Sequence, residues 1–165
     1  MGILRQKLRA IEKLAQDERY SEALSRLEDL TADDLQYRAL IWRTRAYISS
    51  RKGDNVAAIS DLTQSILLFA KEPHPYYTRG IIYLQIGDYV NAVNDFSKVL
   101  ELCDLYNSDY YKESAYFLRA DAYVRLKEFK MAIADCAHVS DDFQTWTDKL
   151  RTKRHVIAEC ENLGR

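Results

Sequence analysis

Apolar and small residues recur along this chain in steps of three and four, the period of an α-helix. The stripes are short and broken by polar joints, so they predict helices in pairs. Sliding the pattern along itself exposes its order. The segment AISDLTQSI, residues 58–66, aligns with AVNDFSKVL, residues 92–100: Ala58 falls on Ala92, Asp61 on Asp95 and Leu62 on Phe96. The same shift of 34 puts Gly53-Asp54 on Gly87-Asp88, Ala46 on Gly80 and Trp42 on Tyr76. One offset therefore aligns two helices and the turn between them, the mark of a repeat architecture. Weaker copies flank this pair. Ala23 lies 35 residues before Ala58, and Ala120 and Ala132 lie 40 after Gly80 and Ala92. The pattern predicts one domain over residues 1–165, with copies at about 4–37, 39–72, 73–106 and 113–140.

Turn chemistry supports the pairing. Glycine at 53 and 87 tolerates the left-handed conformation that ends a helix, and Asp54 and Asp88 can cap the next one. Glu128-Phe129 fills the same turn in the fourth copy without a glycine, and Pro73 and Pro75 mark a fresh helix start. Beyond Ser140 the residues Phe143, Trp146, Leu150, Val156, Ile157 and Cys160 form an interrupted apolar stripe, backed by Lys149, Arg151, Lys153 and Arg154. With Ser140, Asp141 and Asp142 as caps, this predicts a capping helix over about 141–163 that shields the last apolar face.

Composition narrows the function classes. Only 5 Gly and 2 Pro disfavour a turn-rich β fold. The 24 basic and 25 acidic residues leave a net charge of −1, a poor match for a phosphate-gripping nucleic-acid binder. The longest uncharged apolar run, about Ser65–Ala70, is far short of a membrane span, and Lys and Arg interrupt the N-terminus. Gly2 is followed by Gln6 where a myristoylation signal needs Ser or Thr. The 3 cysteines, Cys103, Cys136 and Cys160, form no close pair and read as reduced thiols of a cytoplasmic protein.

These residues resemble the tetratricopeptide repeat family. Tyr76, Gly80, Tyr83, Ala92 and Phe96 carry its pattern; Trp42, Ala46, Gly53, Ala58 and Leu62 carry it with Ser49 at the Tyr position. Tyr116, Ala120, Tyr123, Phe129 and Ala132 carry it with Cys136 at the aromatic position, and Tyr20, Ala23, Leu27 and Leu30 form a degenerate first copy. The resemblance implies an all-α, right-handed α-solenoid of helix-turn-helix repeats with a C-terminal capping helix. It also implies a partner groove lined by the first helix of each pair: Arg5, Arg9 and Glu12; Arg43, Thr44, Tyr47 and Arg51; His74, Tyr77, Thr78, Ile81 and Gln85; Phe117, Leu118, Asp121 and Arg125. Arg and Tyr are enriched at binding hot spots, so Arg43, Tyr47, Arg51, Tyr77 and Arg125 are expected to hold an acidic or mixed segment of a protein or an extended peptide. The family's clamp for acidic chaperone tails is missing: its positions hold Leu8, Glu12, Thr44, His74 and Thr78.

No catalytic constellation stands out. His74, His138 and His155 fall in different elements, and no metal-ligand spacing or Gly-rich phosphate loop occurs. The pairs Asp33-Asp34 and Asp141-Asp142 read as helix caps, and the cysteines on apolar stripes as core. The expected function is therefore non-catalytic protein binding, without cofactor, metal, nucleic acid or membrane. The alternative is a dedicated cytosolic immunity protein or secretion chaperone of one cognate protein. Self-association through the end helix, with Trp146 as its marker, stays open, as does the role of Tyr106, Tyr110 and Tyr111.

Overall fold

A computed structural model describes residues 2–146 and 150–163, apart from the Trp146 side chain. The helices form four hairpins: α1 (Gly2–Gln16) with α2 (Tyr20–Glu28), α3 (Leu35–Arg51) with α4 (Asn55–Leu68), α5 (Pro73–Ile86) with α6 (Tyr89–Leu105), and α7 (Lys112–Arg125) with α8 (Phe129–Cys136). Two short strands, β1 (Gln144–Trp146) and β2 (Leu150–Thr152), precede α9 (Lys153–Leu163). The chain divides into two compact units, Met1–Pro75 and Tyr76–Arg165.

Every hairpin turns on one residue in the left-handed region: Glu18 (φ 60°), Gly53 (φ 85°), Gly87 (φ 81°) and Lys127 (φ 62°). The fold keeps this conformation even where glycine is absent. The predicted caps are made. Asp54 accepts from the Ala57 amide at 3.0 Å and Asp88 from the Asn91 amide at 3.2 Å. Asp34, of the Asp33-Asp34 pair, accepts from the amides of Gln36 at 2.8 Å and Tyr37 at 3.2 Å, so it starts α3. The first copy is shorter than its sequence reading, because α2 already ends at Glu28.

Small residues set the spacing within hairpins. A Cβ built on Gly80 would lie 2.9 Å from the Phe96 ring, which is fully buried. The corresponding positions hold Ala46 and Leu62 in the second copy and Ala120 and Cys136 in the fourth. Glycine thus occurs where the residue opposite is largest.

A second device repeats with the hairpins. Arg45 grips Asp61 through Nε at 2.9 Å, Arg79 grips Asp95 at 2.8 Å, and Arg119 grips Asp135 at 2.8 Å, each donating from Nε and Nη2 to the two carboxylate oxygens. Each arginine also lies over aromatic rings of its own helix: Arg45 over Trp42 at 4.1 Å, Arg79 near Tyr76 and Tyr83 at 5.9 and 5.8 Å, Arg119 near Tyr116 and Tyr123 at 5.6 and 5.9 Å. Burial pushes the Asp95 carboxyl up, against the hydrogen bond from Arg79. Such a pair adds little net stability, yet removing one partner is costly.

The C-terminus corrects the predicted capping helix over 141–163. Residues 144–146 pair antiparallel with 150–152, Thr145 opposite Arg151, and the helix starts only at Lys153. The apolar stripe gave the helical reading, but it lapses between Leu150 and Val156, and Thr145, Trp146 and Thr152 favour strand. Lys149 and the Trp146 side chain lie outside the described residues. Asp141 accepts from Lys153 at 2.8 Å instead of capping a helix. Arg151, 2% exposed, is the anchor: it pairs with Asp121 on α7 and with Glu159 on α9 at 2.7 Å. Val156 and Cys160 are buried from α9.

Two stability outcomes follow from these contacts. Gly80→Ala should cost about 1–3 kcal/mol by overpacking against Phe96, reduced by the roughly 1 kcal/mol gained in helix propensity. Urea unfolding of Gly80→Ala with and without Phe96→Leu tests it, because the smaller ring-less side chain should remove the penalty. Asp121→Ala leaves the Arg151 charge buried and half-paired, and should cost about 3–5 kcal/mol. The double variant Asp121→Ala/Arg151→Leu should recover most of that loss in the same assay.

Candidate functional site

A concavity in the first unit lies between α1 and α3. Its volume is about 310 Å³. Positions Arg5, Leu8, Arg9 and Glu12 fall one turn apart on α1 and share a face. Gln36, Leu40, Arg43 and Thr44 present the facing stripe of α3, and Glu72 closes the cavity just before α5. Arg43 is ion-paired with Glu72, and the Thr44 hydroxyl donates to Glu12 at 3.3 Å. Arg5 and Arg9 are exposed at the rim. The result is a basic-edged cavity with an apolar floor of Leu8 and Leu40.

Arg9, Arg43 and Thr44 line the cavity, though Thr44 is itself buried and reaches it through its hydroxyl. Tyr47 is half-buried and packs on the core formed by Leu8, Ile11, Leu14, Ala15, Ala23, Leu27 and Ile48. Arg51 has an exposed side chain, and its carbonyl accepts from the Tyr20 hydroxyl at 3.1 Å. Gln36, Leu40 and Glu72 were not legible as site residues. Extending the Arg43/Thr44 stripe one and two turns back along α3 gives Leu40 and Gln36; Glu72 has no periodic signal.

In the second unit the predicted residues fare differently. Tyr77 is half-buried in an aromatic stack, 4.8 Å from Tyr111 and edge-on to Phe96 at 6.1 Å. Tyr111 therefore packs, while Tyr110, 4.7 Å away from it, is 83% exposed and Tyr106 is 49% exposed. Thr78 and Ile81 are half-buried on α5; Gln85 and Arg125 are exposed near the ends of α5 and α7. Phe117 and Asp121 require correction. Both are buried, Phe117 with its ring 5.2 Å from Phe143 and Asp121 paired with Arg151. The chain's own C-terminal segment occupies that face of α7, so neither side chain is open to a partner.

The titratable groups are arranged for structure. Burial pushes the Cys136 thiol up to about 11 and raises those of Cys103 and Cys160, which keeps all three out of the nucleophilic thiolate form at neutral pH. Burial, with the nearby Arg43 charge, lowers His74 to about 4. The unfolded chain takes a proton on His74 near pH 6.5, and the folded chain resists it until about 4. Stability linked to His74 is therefore complete above pH 6.5 and falls as the pH drops toward 4. Between pH 7 and 4.5 the loss should reach about 2 kcal/mol, and His74→Gln should remove that component from urea unfolding curves at the two pH values.

Comparison with known proteins bears on the architecture. A family model for the tetratricopeptide repeat matches residues 73–104 and 113–139. No curated protein matches the sequence. A putative kinesin light chain from Podospora anserina with nearly identical TPR-like repeats is 14% identical, with a TM-score of 0.72 over 98% of this chain and 86% of that one. MamA of AMB-1 is 18% identical, with a TM-score of 0.71 over 98% of this chain and 83% of that one. The N-terminal domain of stress-induced protein-1 from C. elegans is 13% identical, with a TM-score of 0.64 over 81% of this chain and all of that domain. At these identities the likeness is one of fold. The paired helices, the repeat offset and the family match agree: residues 73–104 and 113–139 carry tetratricopeptide repeats, and the fold is that of a tetratricopeptide-like helical solenoid.

Proposed function

We propose that this chain is a non-catalytic protein-binding scaffold, and that the α1–α3 face of its first unit is the principal partner site. Tetratricopeptide repeats serve as platforms for other proteins, which supports the general reading. The observation that carries the site is the cavity where Arg5, Arg9 and Arg43 converge over Leu8 and Leu40. Arg43 is already neutralised by Glu72, so Arg5 and Arg9 supply the charge for a partner. An acidic or mixed segment fits, its carboxylates at the arginine rim and an apolar side chain on the leucine floor. The positions of the family's chaperone-tail clamp hold other residues, with Glu12 opposing a terminal carboxylate.

Affinity capture from the native source, with Arg5→Ala/Arg9→Ala protein beside the unaltered chain, tests this. The expected result is at least one partner lost from the variant, its affinity reduced by about tenfold or more. An unchanged partner set would sink the site. The same experiment separates the two roles. One dominant partner bound in equal proportion marks a dedicated immunity protein or secretion chaperone, whereas several partners sharing an acidic segment mark a general scaffold.

A further inference from the structure

We propose that the flank of α3 turned away from that cavity is a second docking site, which takes an amphipathic helix of a partner protein bearing an acidic side chain beside its apolar stripe. The copies differ in the length of their second helix. α2 ends at Glu28, five residues after Ala23, whereas α6 runs to Leu105, thirteen after the matching Ala92. The missing turns leave a cavity of about 340 Å³ against α3, with Leu24, Leu30, Ile41 and Trp42 as its apolar surface; Glu28 and Arg45 line one part of its edge and Arg38 another.

The second unit shows what such a flank holds when it is filled. The repeat offset places Arg38, Trp42 and Arg45 at the positions of Lys112, Tyr116 and Arg119 on α7. There the last turns of α6 pack along α7, burying Val99, Leu102 and Cys103. Asp104 of those turns pairs with Lys112 at 2.8 Å, and Ser97 accepts from Arg119 at 2.9 Å. In the first copy the position of Asp104 falls on Leu35, which already belongs to α3, so no helix turn of the chain supplies an acid there. Arg38 is exposed and, among the described residues, has no ion-pair partner. The flank therefore presents an apolar slot and a cation whose counterpart elsewhere in the same molecule is met by the acid of an amphipathic helix. Charge complementarity and slot chemistry select the same occupant.

The chain supplies both a reporter and a probe. Its 2 tryptophans are Trp42 and Trp146, so the full chain carrying Trp146→Phe reports on the slot through Trp42 alone. The probe is a synthetic peptide of residues 93–106, the turns that fill the equivalent place in the second unit. A saturable blue shift of Trp42 emission is expected. Arg38→Glu should weaken the peptide by about tenfold, and a peptide with Asp104→Lys should lose affinity for the unaltered chain but regain it for Arg38→Glu. Calorimetric titration of the chain with both tryptophans reads the same affinities if Trp146→Phe disturbs folding. Four results would overturn the proposal: no saturable binding, affinity indifferent to both charge changes, a Trp42 shift that grows with chain concentration without peptide, or a shift produced by phosphatidylcholine vesicles and not by the peptide. The third would assign the slot to a second copy of the chain, and the fourth to a lipid surface.

Discussion

Three of the four hairpins depend on one clasp, an arginine on the first helix gripping an aspartate sixteen residues later on the second. The clasp sits beside the small residue at which the two helices approach most closely, Ala46, Gly80 or Ala120. Close approach requires that no side chain intervene, and the bidentate pair fixes the angle and register at which it happens. Aromatic rings one turn before and after Arg79 and Arg119, and Trp42 one turn before Arg45, hold the guanidinium over their faces, so it reaches its carboxylate already oriented. Arg79 and Arg119 are largely shielded, whereas Arg45 keeps 44% of its side chain exposed. That difference traces to what packs beside each clasp: Arg119 also donates to Ser97 of the preceding helix, which runs on past it, whereas beside Arg45 the preceding helix ends at Glu28, the position of Ser97.

Much of this was legible in the residues. The offset of 34 found the two central copies, and the Gly-Asp turns placed their caps, because those positions have few chemical solutions. The clasp was half visible. Asp61 and Asp95 align, and Arg45, Arg79 and Arg119 recur immediately before the small residue, but a charged residue on a helix reads as solvated until its partner's position is known. The C-terminal segment misled for a related reason. Val156 and Cys160 do lie on a helix stripe, while Phe143, just before the strand pair, and Leu150, within it, extend that spacing by coincidence. Arg151 is the telling residue. Its place on a polar face suggested solvent, and the structure buries it between two carboxylates, which periodicity does not encode.

The site residues divide along the same line. Arg9 and Arg43 fell where the helix face put them, since their position depends only on helical geometry. Phe117 and Asp121 share the equivalent face of α7, yet are consumed by Phe143 and Arg151. A face pattern says which side chains point together, and says nothing of whether the chain returns to cover them.

A repeated fold offers each hairpin the same surfaces, so what distinguishes one copy from another is which surfaces the chain itself covers. In the second unit the face of α7 carrying Asp121 is closed by Arg151, and its opposite flank by the last turns of α6. In the first unit the corresponding face of α3 keeps a cavity rimmed by arginines, and its flank keeps an apolar slot beside Trp42. The same clasp and the same turn therefore build a largely saturated hairpin in one unit and a hairpin with two open sides in the other. The departures from the repeat, an early stop at Glu28 and a strand pair after Val139, do not erode the architecture. They decide where it can bind, because a clasped hairpin holds its shape whether or not its neighbouring helix runs to full length.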